Sequence, residues 1–239
     1  MLRPHQTWFI VLVTCLLASC AQPSLQPEPS RSEELPRPID TRGAVVYAID
    51  AQASSLNILV YRGGTLARLG HNHVVSSKSI SGRAWVHGDF TRSGFEISVP
   101  VHSLIIDDVE ARASHGEDFA AIVPQKDIHG TRRNMMKPEV LDGERFAEIA
   151  IASAQIAGTP ESPKVLARIK IKDVVREMEI PLNLKVQQAQ LTASGEFDLL
   201  QTEFGMKPFS IALGALEVQD RLHIVYDITA RKTSDGVTK

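Results

Sequence analysis

Two histidines two residues apart, His71 and His73, have the spacing in this chain that most directly suggests chemistry. On an extended strand, side chains at i and i+2 project to one face, so both imidazoles would meet one ligand. Ala67, Leu69 and Val75 share their parity if the segment 66–75 is a strand. A His-x-His pair of this kind presents two nitrogens to one metal ion or haem. Third and fourth ligands would have to come from His87, His102, His115 or His129, with Glu117 or Asp118. Imidazole also donates hydrogen bonds, so the pair suits a quinone carbonyl or a phosphate at a pocket rim, helped by Arg68 and Arg83. In the plainest reading they only satisfy local polar groups, since Gly70 and Asn72 beside them suit a turn or bulge. All three readings stay open at this level.

Other reactive residues point away from catalysis. The chain contains no Gly-x-Ser-x-Gly elbow, no Gly-rich phosphate loop and no His-Glu-x-x-His. His115-Gly116-Glu117-Asp118 can be written as an acid–base group, but a polar helix start explains it as well. Asp107, Asp108 and Glu110 read as charges favourable to a helix N-terminus. The expectation is a binding protein, not an enzyme. A formal net charge of −2 without a long basic run argues against nucleic acid as partner.

Both cysteines fall in the first twenty residues. Residues 8–17 form an almost wholly apolar run, too short to span a bilayer comfortably, and read as a signal-peptide core. The run ends in Leu17-Ala18-Ser19-Cys20, which resembles a bacterial lipobox. That resemblance implies a signal peptide over 1–19 and a lipidated Cys20 as the new N-terminus. Ala21 in place of Asp points to the outer membrane and a periplasmic domain. Residues 20–43, rich in Pro, Ser and Glu, form a spacer that cannot bury a core. One domain over 44–233 follows, then a polar tail over 234–239.

The elements that must position these residues are strands. Val165, Ala167, Ile169 and Ile171 alternate with Arg168, Lys170 and Lys172. Met178, Ile180, Leu182, Leu184 and Val186 repeat the period, as do Leu222, Ile224, Tyr226, Ile228 and Ala230. A period of two with short links predicts an antiparallel sheet, which hides its edges by closing into a barrel or sandwich. Earlier strands are expected over 45–50, 55–62, 66–75, 79–87 and 94–102, with another over 146–155. Pro100 marks an edge or a strand end. Between 107 and 136 helix formers dominate, predicting one or two short helices across one barrel end. Trp85, Phe95, Ile97 and Phe197 sit on apolar faces, where core and cavity wall look alike.

The opening Tyr47-Ala48-Ile49-Asp50 with Ser54-Ser55 resembles the start of YceI-like proteins. So do Met135-Met136-Lys137-Pro138 before Phe146-Ala147-Glu148-Ile149, then Gly195-Glu196-Phe197 and Glu203-Phe204-Gly205-Met206. The resemblance implies an all-β fold, an extended antiparallel lipocalin-like barrel capped by the short helices. It further implies a polyisoprenoid lipid, such as a prenyl quinone, held inside, with a homodimer allowed and no cofactor required. His71, His73, Leu69, Trp85, Phe95, Ile97 and Phe197 are the ligand-contacting candidates. Two departures stand out. Asp173-Val174-Val175 replaces the family's Gly-Val-Thr, with Asp173 expected to make the turn, and Gly70-His71-Asn72-His73 replaces a less polar stretch.

Overall fold

In a computed structural model, residues 41–233 are described. The signal segment, Cys20, nearly all of the spacer and the 234–239 tail lie outside those residues. The first six strands are β1 (Ala44–Ile49), β2 (Ser55–Gly63), β3 (His73–Ser77), β4 (Ser81–His87), β5 (Gly94–Pro100) and β6 (Ile105–Ile106). Two short helices follow, α1 (Val109–Ala113) and α2 (Gln125–Met135). Next come β7 (Glu148–Thr159), β8 (Ser162–Ile171), β9 (Val174–Ile180) and β10 (Asn183–Val186). The last three are β11 (Gln190–Leu200), β12 (Ser210–Ile211) and β13 (Leu216–Lys232).

All thirteen strands belong to one antiparallel sheet. The alternation explains why it rolls. Val165, Ala167, Ile169 and Ile171 of β8 are all buried, while Arg168 between them pairs outside with Glu177 at 2.7 Å. Arg168 and Glu177 lie directly opposite in the β8–β9 register, so the pair supports that register from the solvent side. The longest strand, β13, carries β11 on one edge and β1 followed by β2 on the other. Its register shifts between Val218 and Leu222, an irregularity that bends its upper end.

The sheet comes round on itself without strict closure. β9 pairs with β8, whereas β10, only two residues later, pairs with β11. Pro181 separates them; it has no N–H to continue a ladder, so the chain changes neighbours there. The Tyr226 hydroxyl donates to the Pro181 carbonyl and ties this crossover to β13. A Cβ on Gly195 would lie 2.4 Å from that carbonyl oxygen, so only glycine lets β11 pass beneath the junction.

Several expectations change. Segment 66–75 is not one strand: Ala67–Leu69 is a 3-10 turn and pairing begins at His73. The strand expected over 94–102 stops at Pro100, a strand end between β4 and β7, and Val101–Ser103 is a 3-10 turn. Asp173 does lie in the tight turn from β8 to β9, as expected, but Lys172 beside it takes the left-handed backbone (φ 58). Lys172 holds that position by donating through Nζ to the Pro138 carbonyl at 3.1 Å.

Candidate functional site

The barrel interior holds two chambers that meet at Ile224, which lines both. Toward the β13 C-terminus lies a chamber of about 120 Å³ with almost entirely apolar walls. Trp85, Phe95, Ile97 and Phe197 all face it, so four of the ligand candidates converge here. Trp85 is fixed from two sides. Its indole N–H donates to the Arg92 carbonyl at 3.1 Å, and its ring lies where a Cβ on Gly94 would stand, 2.4 Å away. Arg83 lines this chamber too, yet its guanidinium pairs with Glu96 at 2.7 Å on a half-exposed face.

Tyr226, which the alternation placed only on the apolar face of the last strand, also lines it. Burial pushes its phenol up to about 12. An apolar void of roughly 150 Å³ stays dry and accepts a benzene-sized guest, so the smaller chamber fits one short branched hydrocarbon unit.

The larger chamber, about 480 Å³, falls within the range of small-molecule sites. Its depth is apolar, with Ile58, Val60, Val75, Leu199 and Leu222 among the walls. Its mouth is polar: His71, His73, Arg62, Lys126, Arg133 and Glu217 stand there. Helix α2 lies along this mouth, with residues from Lys126 to Met135 on the chamber. Arg132 holds the helix in place by donating to the Leu104 carbonyl. The expected helical cap is therefore present at one end, carried chiefly by α2.

His71 and His73 do come together, with ring centroids 6.3 Å apart, but not by strand alternation. His71 sits in the loop before β3, and Leu69 belongs to the preceding turn, largely exposed and on neither chamber. His73 is engaged at both ring nitrogens: Nδ1 with Asp107 Oδ2 at 2.7 Å and Nε2 with Thr131 Oγ1 at 3.3 Å. A metal at His73 would have to displace one of these partners. Among the described residues no group of three or more His, Cys, Asp or Glu is placed to hold an ion. His102 instead meets the Gly143 carbonyl at 2.8 Å, and His87 accepts from the Asp89 N–H.

Asp107 is the site residue that sequence reasoning misassigned. It is no helix-end charge. Its carboxylate is fully buried and accepts from Val74 N–H at 3.0 Å, Arg112 at 2.5 Å and His73. Burial alone would raise its pKa, but the bond and charge of His73, with the Val74 and Arg112 bonds, hold it below the usual value. Arg112 in turn donates to the carbonyls of Asn72 at 2.8 Å and Ala121 at 2.9 Å. This network fixes the loop that carries His71. Asp108 caps α1 as expected, accepting from Ala111 N–H at 3.1 Å. Nothing local in the sequence distinguishes Asp107 from Asp108; only long-range packing does.

The acid–base candidate dissolves into structure. His115 packs edge-on against Phe119, and burial, then the nearby His223, lowers its pKa. Glu117 and Asp118 belong to a 3-10 turn, and none of the three lines a chamber.

A YceI-like domain matches residues 47–230. The chain belongs to the YceI-like family. That is a family of binding proteins with a lipocalin-like β architecture. Among solved structures, BcnA of Burkholderia cenocepacia is similar at a TM-score of 0.56 and 12% identity, covering 76% of this chain and 99% of that one. A Campylobacter jejuni YCEI protein is also similar, at a TM-score of 0.48 and 9% identity, covering 67% of this chain and 85% of that one. No curated protein matches by sequence. No helix among the described residues is long and apolar enough to cross a membrane.

Proposed function

We propose that this YceI-like protein binds an isoprenoid-type lipid, such as a prenyl quinone, with its tail in the barrel and its head at the α2 mouth. The observation that carries this reading is the pair of chambers meeting at Ile224, polar at one mouth and apolar at the far end. The tail fills the larger chamber, passes Ile224 and ends among Trp85, Phe95 and Phe197. Each buried methylene contributes ~0.8 kcal/mol, so a few isoprene units offset the costs of association. At the mouth, His71 and the Arg62, Lys126 and Arg133 side chains offer donors to a carbonyl or phosphate. Nothing in this scheme requires a covalent step. With Cys20 lipidated, the domain would sit tethered in the periplasm, at the outer membrane.

Native mass spectrometry of the protein purified from a bacterial envelope tests this directly. The expected result is an added mass of several hundred daltons that disappears on denaturation. A bare chain under both conditions would overturn the reading.

A further inference from the structure

The rim of the larger chamber carries a group of exposed aliphatic side chains. Leu213 is fully exposed (107%), Leu69 is 61% exposed, Ile211 48% and Leu66 37%. They come from two loops that sit side by side. Leu66 N–H donates to the Ala215 carbonyl at 2.7 Å, and a Cβ on Gly64 would lie 2.4 Å from the Gly214 and Ala215 oxygens. Both loops flank the mouth, since Gly70, His71, Phe209 and Leu216 line the larger chamber.

Leu213 is held out at an energetic cost. Ala212, Leu213 and Gly214 all have positive φ (50, 56 and 87), a run that residues with side chains rarely adopt. Exposed apolar residues grouped round an opening mark an interaction surface rather than chance exposure. Around the same mouth stand Arg62, Lys126 and Arg133, with Arg68 on the Leu69 turn, against the acids Asp127 and Glu217. Leucines ringed by an excess of cations match an anionic phospholipid surface, whose interface takes up both.

We propose that this rim docks on a phospholipid bilayer, with Leu213, Leu69, Ile211 and Leu66 entering the interface and the chamber mouth facing the lipid. The reading goes beyond ligand binding, because docking does not require an occupied chamber. A tether does not prevent it. β1 enters the barrel at the end remote from the mouth, and the 17 residues of β13 span about 56 Å. The chain from Cys20 to the start of β1 can reach up to about 80 Å.

The test uses the full chain reconstituted in phosphatidylethanolamine–phosphatidylglycerol vesicles whose acyl chains are brominated. Leu213→Trp adds a reporter at the rim, and Val186→Trp adds one at the opposite end of the barrel. The emission of each is read as the increment over the parent, whose chain from Cys20 onward holds Trp85 as its one tryptophan. The Leu213→Trp increment should fall by roughly half, as for a ring about 5–10 Å into the headgroup–acyl boundary, while that of Val186→Trp stays unquenched. Leu69→Trp should repeat the result, and carries the test if Leu213→Trp does not fold. Equal quenching at the two ends overturns the proposal. So does an unquenched rim whose emission shifts to the blue with protein concentration, which would assign the surface to a second copy of the chain. Both readouts are taken with and without extracted lipid, so failure to dock is distinguishable from an empty chamber.

Discussion

The two chambers share one barrel and one residue, Ile224, yet they are built by different means. The smaller is walled almost wholly by regular strands. Most of its wall positions are alternate residues of strands, such as Ile224, Tyr226, Ile228 and Ala230 of β13, and there the ladders satisfy the backbone. The larger is bounded by the places where strands stop: the loop before β3, helix α2 and the run before β13. Leaving the ladder frees backbone groups, and buried side chains must then satisfy them. Asp107, Arg112 and Asn72 do so here, and the polar mouth is the visible result. In this barrel, apolar capacity comes from regularity and recognition chemistry from its interruption.

The sharpest way to break this contrast is to remove the charge that organises the mouth. Asp107→Asn keeps a residue tolerant of the left-handed backbone at φ 58 but leaves Arg112 uncompensated. Urea unfolding should show a loss of about 3–5 kcal/mol. A smaller loss, about 1–3 kcal/mol, is expected for His73→Ala, which strips one partner from the buried carboxylate.

The same group predicts an acid limb in stability. The folded pKa of Asp107 is depressed, so its contribution is present above the unfolded value of about 3.9 and is lost as pH falls through the lower folded value. Unfolding midpoints measured between pH 6 and 2 should decline along that limb, and less steeply in Asp107→Asn.

Filling the dry chamber sharpens the comparison from the other side. Ile228→Phe should leave the mouth intact and shorten the longest lipid retained by about one isoprene unit, given a void near the benzene-binding size. Mass spectra of bound lipid read this directly; an unchanged chain-length distribution would detach the smaller chamber from the ligand. Tyr226 offers a finer probe of the same region. Its raised pKa means that its contribution to stability is present below the ordinary phenol value and is lost as pH rises through about 12. Tyrosinate absorbance should show one late step near that pH, absent in Tyr226→Phe. The smallest effect belongs to His71→Ala, expected to change unfolding free energy by under about 0.5 kcal/mol, because among the described residues its ring meets His73 edge-on and makes no hydrogen bond.

Much of this was readable in the chain. Alternation at 165–171 and 222–230 dictated which residues face inward, because a strand has only two faces and one must be dry. The turns at 51–53 and 172–173 fell where the pattern broke. The order of short motifs from Tyr47 to Met206 pointed to the family. What was not readable lies where local pattern has no single meaning. His71 and His73 are neighbours in space, but a 3-10 turn and a loop place them, and a two-residue spacing alone could not distinguish that from a strand. Asp107 and Asp108 are chemically identical in the sequence. One became a solvent-side cap and the other a buried counter-ion, because only the packed fold brings Val74, Arg112 and His73 to the first. Sequence determined the faces of each strand, since side-chain hydrophobicity acts locally. Tertiary structure decided where the strands end, which chamber each wall residue meets and which charges are buried, since those depend on partners more than thirty residues away.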